Sequence, residues 1–224
     1  MMDSVKSLEL FCGTKSFTRA MQRRGADCLT LDNDCRFQPD YCMEILNFGR
    51  PQLPPRWKPD IIWASPPCTG FSSAAGGKYW IRRNGSWEAQ SAEALYYLEL
   101  IYKTLAIIRE LKPRYWFIEN PVSLLRNLPV FWGYHRDTVT YCQYGETRRK
   151  ATDIWHNCQC WHPKPACKPG SSCHEYVPHQ THGGGVMRQS SSRVRGMIPT
   201  ELCEEIAEAI YSSRKEVDNE TGRH

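Results

Sequence analysis

Short apolar runs alternate along the chain with longer stretches whose apolar positions recur every three or four residues. Residues 5–11 (VKSLELF), 27–31 (DCLTL) and 60–64 (DIIWA) read as strands closed by turn-forming residues. A small turn and a helix from about Lys15 to Arg24 follow the first of them. From Trp87 to Leu111, the residues Leu95, Leu98, Ile101, Leu105 and Ile108 share one stripe, which predicts a long helix. "KPRYWFIEN", "TVTYC" and "TDIWH" predict three more strands. "IPTELCEEIAEAIYSS" predicts a closing helix with Pro199 in its first turn, and an unstructured tail from Asp218. Strands alternating with helices predict an α/β fold with a doubly wound, mainly parallel sheet. Over 156–192 the periodicity vanishes and Cys, His, Pro, Gly and Ser dominate. The expected organisation is a sheet domain over 1–155, an irregular Cys/His-rich insertion over 156–192, and a segment 193–224 that returns to the sheet domain.

Composition narrows the class. At 224 residues the chain suffices for one substantial core. No apolar run approaches the roughly 18 residues of a membrane span, and no basic-then-apolar export signal opens the chain, so no membrane partner is expected and the setting is read as cytoplasmic. Eleven cysteines in such a setting read as mostly reduced thiols, some available to a metal. The net charge of +5 is localised: Tyr144 to Arg195 holds eight Lys/Arg against three Asp/Glu, an excess equal to the whole. Such a patch suits a polyanion such as nucleic acid, and a plain solvated face accounts for the charge equally well.

Candidate chemistry collects where strands end, because ligands of open α/β sheets bind at the carboxyl ends near the reversal of strand order. "LELFCGTKSF" puts Phe11, Cys12 and Gly13 in the first strand-to-helix turn, where glycine lets a ligand approach the backbone. Asp32 ends the second strand, where its carboxylate can accept from ribose hydroxyls; a strand-end turn also favours Asp. Together they point to an adenosyl cofactor. "SPPC" puts Cys68 at the end of the third strand, and "FIEN" puts Glu119 at the end of another. If those strands are neighbours, thiol and carboxyl face one pocket. The ordinary alternatives are a small buried thiol and a solvated acid.

These stretches resemble the DNA cytosine-5 methyltransferases, in a compact, phage-like form. "LELFCGTKSFTRA" resembles the family's first cofactor motif, "SPPCTGFS" its Pro-Cys nucleophile motif and "FIEN" its Glu-Asn motif. "YGETRRKATDIW" is similar to an altered Gln-x-Arg-x-Arg motif, and "RVRGMIPTELCEEIAEAI" to the final motif and helix. The resemblance implies a methyltransferase fold and S-adenosylmethionine as cofactor. It implies Cys68 as the nucleophile that adds to carbon 6 and makes carbon 5 an enamine nucleophile. It implies Glu119, in a dry pocket, as the acid at N3, with Asn120 orienting the adjacent backbone. Phe11, Cys12 and Gly13 would line the cofactor, Asp32 its ribose, Asn33 and Glu44 its adenine, and Ser65 and Pro66 its catalytic side. Because the target base must leave the duplex, Pro66 and Pro67 would hold the thiol while Thr69 to Gln90 closes over the flipped nucleotide. In that loop Ser72, Ser73, Lys78, Arg82 and Arg83 would meet phosphates, and Trp80 and Trp87 would stack. The implied partner is double-stranded DNA, met by a monomer inside a bacterial or phage-infected cell.

The chain departs from the pattern in places. Arg148, Lys150 and Thr152 stand at the Gln, Arg and Arg positions; Lys150 could still anchor Glu119 or the base carbonyl, and Arg148 and Arg149 are candidates for DNA contact. The usual Gly-Asn of the final motif is missing, with Arg193 or Arg195 near it, which raises an acid-bearing relative of S-adenosylmethionine as a cofactor. Only 156–192 is available for target recognition. Zinc could fold it, with Cys167, Cys173 and His174 as ligands and Cys158 or His156 as a fourth. An RNA substrate, or a binding protein without turnover, would fit the same residues.

Overall fold

A computed structural model describes residues 4–72, 76–175 and 196–221, the last seven of these as backbone. Seven strands form one sheet: β1 (Lys6–Leu10), β2 (Asp27–Asp32), β3 (Tyr41–Cys42), β4 (Ile61–Ala64), β7 (Tyr115–Pro121), β8 (Arg136–Thr140) and β9 (Ala151–His156). Their order is β3-β2-β1-β4-β7-β9-β8. β1, β2, β3, β4 and β7 pair in parallel, and β9 runs antiparallel between β7 and β8. The chain moves outward from β1 to β3 and then returns to β4 on the other side of β1. The carboxyl ends of β1 and β4 therefore flank the switch point where such sheets bind ligands.

Strands buried on both faces explain the continuous apolar runs. Ile61, Ile62, Trp63 and Ala64 are all fully buried. One face is covered by α3 (Ala92–Leu111), whose Leu100, Ile101, Leu105 and Ile108 pack with Leu8, Ile62 and Ile118. The other is covered by α1 (Ser16–Gln22) and α4 (Thr200–Thr221), where Phe17 stacks on Trp63 at 4.7 Å and Leu202, Ile206 and Ile210 complete the layer. Ser91 caps α3 by accepting from the Ala94 amide at 3.1 Å, so that helix starts five residues later than the periodicity predicts. The helix α4 continues to Thr221, through part of the segment expected to be an unstructured tail.

The stretch after Cys68 has a regular element of its own. After a one-turn helix α2 (Gly76–Tyr79), β5 (Trp80–Arg83) and β6 (Ser86–Ala89) form an antiparallel hairpin closed by Asn84-Gly85, both at positive φ. That geometry is the two-residue turn whose twist suits a hairpin. Trp80 is buried, donating from its indole to the Gly70 carbonyl at 2.6 Å, so it anchors the hairpin to the thiol turn and is not offered for stacking. Trp87 packs partly buried against the same core. One disulfide joins Cys35 to Cys42, and the other nine cysteines are free thiols.

Candidate active site

The first strand-to-helix turn is locally strained. Phe11, a non-glycine residue, holds φ 56° and Gly13 φ 45°. The Asp32 carboxylate maintains this shape by accepting from the Gly13 amide at 2.8 Å and from the Asp34 amide at 2.9 Å. Below the turn opens a cavity of about 380 Å³, lined among others by Phe11, Gly13, Asp32, Glu44, Ser65 and Ile198. Cys12, Asn33, Tyr96 and Tyr97 border it as well. Of the predicted cofactor residues, all but Pro66 line this space; Pro67 takes that place, and Pro66 is buried behind it.

Electrostatics of the cavity are acidic. Glu9, Asp32 and Glu44 all border it. Glu9 lies at the floor, 2% exposed, accepting from the Thr18 amide at 2.8 Å; burial pushes its carboxyl up to about 7, against hydrogen bonds from Thr18 and Phe17 and the charge of Lys15. Glu44 caps the turn at Ile45 and accepts from Asn33 at 3.3 Å and from the Tyr96 hydroxyl at 2.9 Å. The buried thiol of Cys12 is pushed up to about 12 by its burial, which leaves it inert. A volume of this size with carboxylates among apolar walls fits a nucleoside that carries positive charge, as a sulfonium does.

Thiol and carboxyl stand at the ends of adjacent strands. β4 and β7 pair in parallel, with Ala64 opposite Ile118, so Cys68 and Glu119 leave the same edge of the sheet. Among the described free cysteines Cys68 is the exposed one; the other eight are buried or half-buried. It opens the one-turn helix Thr69–Phe71, whose Gly70 is packed against the ring of Tyr97. The side-chain amide of Asn120 donates to the Pro66 carbonyl at 2.9 Å and ties the two strand ends together.

Glu119 is 5% exposed. Its Oε1 accepts from the Tyr141 hydroxyl at 2.8 Å, and the Lys150 ammonium stands 3.7 Å away and 4.6 Å over the Tyr141 ring. The Tyr141 hydroxyl is held well above the usual range by burial and by the neighbouring Glu119, so it remains a donor. Sequence reading placed Lys150 as a possible anchor of Glu119 and missed Tyr141, which follows it by 22 positions and reaches it only through the antiparallel pairings of β7, β9 and β8.

The residues named for DNA contact divide. Lys78, Arg82 and Arg83 are exposed beside or on the hairpin, and Ser72 is half-buried. Arg148 is 8% exposed and turned onto Glu146 at 2.8 Å, and Arg149 donates to the Cys167 carbonyl, so these two hold the chain together. Ser73, Arg193 and Arg195 lie outside the described residues. Cys158 departs from its expected metal role: it is buried, with its sulfur 3.0 Å from that of Cys160. His156 also belongs elsewhere, in a group with His135 and Asp137. The fourth member of the Cys167, Cys173 and His174 group is Cys142.

Sheet order, an acidic cavity at the switch point, and a thiol and a carboxyl at the ends of adjacent strands define the class of protein: an α/β protein with a ligand site at the reversal of its parallel sheet. The family model for C-5 cytosine-specific DNA methylases matches residues 5–128, and the chain belongs to that family. Methylation of cytosine in DNA at carbon 5 is the reaction of the family. A curated relative, "Probable DNA (cytosine-5)-methyltransferase" of Frog virus 3 (isolate Goorha), is 28% identical over 218 residues, which cover 90% of this chain and 98% of the relative. A solved structure described as a "putative DNA modification methyltransferase encoded within prophage" (E. coli) is 13% identical with a TM-score of 0.49, covering 73% of this chain. The chain matches 52% of the length of that structure.

Proposed function

We propose that Cys68 and Glu119 carry out cytosine-5 methylation of duplex DNA on a base flipped out of the helix. The observation that carries this reading is the single edge shared by the exposed Cys68 and the buried Glu119, with Asn120 bonded to Pro66 between them. The Cys68 thiolate adds to carbon 6 of the ring, while the Glu119 carboxyl supplies hydrogen bonding and a proton to N3. Tyr141 and Lys150 hold the Glu119 carboxyl in place. Once carbon 5 has accepted the methyl group, loss of its proton expels the Cys68 thiolate and restores the aromatic ring.

The cavity beneath Phe11 and Gly13 would hold S-adenosylmethionine, which when bound supplies an electrophilic methyl group. Its lining by the Asp32 and Glu44 carboxylates supports the ordinary cationic cofactor over an acid-bearing relative. Lys78, Arg82 and Arg83 would meet phosphates as the hairpin closes on the nucleotide, and the Cys/His-rich segment after β9 would read the target. The described residues contain no helix long and apolar enough to cross a membrane. We place the enzyme as a monomer inside a cell whose DNA, its own or a virus's, is the substrate.

The test is incubation with labelled cofactor and either duplex DNA or transfer RNA, followed by nucleoside analysis. Label in 5-methyldeoxycytidine is expected. Label confined to RNA, or none in either, would overturn the reading.

A further inference from the structure

Beyond the catalytic edge, three thiols and an imidazole meet on the far side of Tyr141. The Cys142 and Cys167 sulfurs are 3.1 Å apart, and Cys173 lies 3.7 Å from Cys142. His174 Nδ1 stands 3.7 Å from the Cys167 sulfur and 3.5 Å from that of Cys173. All four ligand atoms lie within 4.8 Å of one another. A tetrahedral zinc ion with ordinary Zn–S and Zn–N bonds separates its sulfurs by about 3.8 Å and sulfur from nitrogen by about 3.5 Å. Three of these four separations lie within about 0.2 Å of those edges, and the closest pair needs to open by about 0.7 Å. At 3.1 Å that pair is well outside the roughly 2.05 Å of a disulfide.

We propose that Cys142, Cys167, Cys173 and His174 form a structural zinc site that fastens the Cys/His-rich segment to the end of β8. Four protein ligands fill the tetrahedron and leave no open position, which marks a structural site over a catalytic one. The segment they fasten needs such a staple. From Asn157 to Glu175 the described chain has no helix or strand; its first part is anchored by Trp161, buried against Phe117 and donating to Glu205 at 2.9 Å, whereas beyond Lys164 its hold is a handful of polar contacts. The Cys167 amide donates to Thr140 Oγ1 at 2.9 Å, the Glu175 amide to the Thr147 carbonyl at 2.9 Å, and Gln143 to the Cys173 sulfur at 3.2 Å. Metal binding releases the three thiol protons to solvent as thiolates form, and folding and binding become one equilibrium.

The ligand set has a consequence for the active site. Cys142 directly follows Tyr141, whose hydroxyl holds Glu119, and Arg149, adjacent to Lys150, donates to the Cys167 carbonyl at about the same place. The ion therefore fixes both the donor and the cation that face Glu119. Tyr141 and Lys150 act here as positioning residues.

Elemental analysis of the full chain, purified from zinc-supplemented reducing medium, tests the site independently of methyl transfer. One zinc per chain is expected, falling below about a tenth of that in Cys142→Ser and in Cys173→Ser but unchanged in Cys158→Ser. Because the first two variants could fail to fold, alkylation of the unaltered chain supplies a second reading. Mass spectrometry should find Cys142, Cys167 and Cys173 protected together and released together by a chelator, with Cys158 and Cys160 indifferent to it. Absence of zinc, a Cys142–Cys167 disulfide, or zinc lost through Cys158→Ser but kept in Cys142→Ser would overturn the proposal.

Discussion

The side-chain amide of Asn120, at the end of β7, donates to the carbonyl oxygen of Pro66, just past the end of β4, at 2.9 Å and fully buried. This bond spans 54 positions of sequence and sets where Cys68 leaves the sheet relative to Glu119. Replacing Asn120 by Ala leaves the Pro66 carbonyl buried without its donor, at a cost of about 1–3 kcal/mol. We expect Asn120→Ala to melt lower and to form its cysteine–DNA adduct at least about tenfold more slowly, with DNA affinity little changed. Adduct formation at the wild-type rate would separate this bond from the chemistry.

Tyr141→Phe removes one hydroxyl and keeps the ring over which Lys150 sits. An ordinary hydrogen bond is worth about 0.5–1.5 kcal/mol net, so kcat should fall by roughly 2- to 12-fold while KM for DNA stays nearly constant. A change confined to KM would mean that Tyr141 serves binding and not Glu119.

Buried Glu9 makes stability depend on pH in an unusual direction. Its folded value of about 7 lies above the ordinary 4.5, so the folded state keeps a proton that the unfolded chain gives up between those values. That contribution is complete below pH 4.5 and is lost as pH rises through 7. Glu9→Gln removes the effect, so its stability relative to wild type should be greater at pH 8 than at pH 5 by about 1–3 kcal/mol. Urea unfolding at both pH values measures this; a difference that does not change with pH would contradict it.

Much of this arrangement is legible in the sequence, for a physical reason. Strand-end residues such as Cys68, Glu119 and Asp32 announce themselves because a buried run stops at a turn, and turn chemistry is local. What escapes is chemistry assembled by pairing between strands. Tyr141 and Cys142 look like the end of an ordinary strand until β8 lies against β9, one beside Glu119 and the other beside Cys167. The hairpin was readable: Asn84-Gly85 is a strong two-residue turn signal, but Trp87 also fits the helical stripe that follows and draws the reading that way. Arg148 reads as a surface cation because sequence cannot show Glu146 folding back onto it.

Gly70 sits where no side chain fits. A Cβ there would come within 2.2 Å of the Tyr97 ring and 2.6 Å of the Tyr97 Cβ. Gly70→Ala should therefore cost about 1–3 kcal/mol, visible as a lower Tm, and should also slow adduct formation through displacement of the Thr69–Phe71 turn. Wild-type stability would show that the turn can move freely away from Tyr97.

Salt dependence separates the exposed from the inward-turned arginines. Arg82→Ala and Arg83→Ala should each lower the slope of log Kobs against log salt by about 1, the signature of one phosphate contact. Arg148→Ala should leave the slope unchanged and lower stability instead, since its side chain is buried on Glu146. An equal loss of slope for all three would place Arg148 on the DNA.

The central claim is a bond between the Cys68 sulfur and a cytosine ring, and mechanism-based trapping tests it most directly. Duplex DNA carrying 5-fluorocytosine has no proton at carbon 5 to lose, so the adduct persists after methyl transfer. The account predicts a denaturation-stable complex with wild type in the presence of cofactor, its mass mapped to the peptide containing Cys68, and none with Cys68→Ala. Methylation of unmodified DNA by Cys68→Ala, or an adduct mapped to a different cysteine, would contradict it.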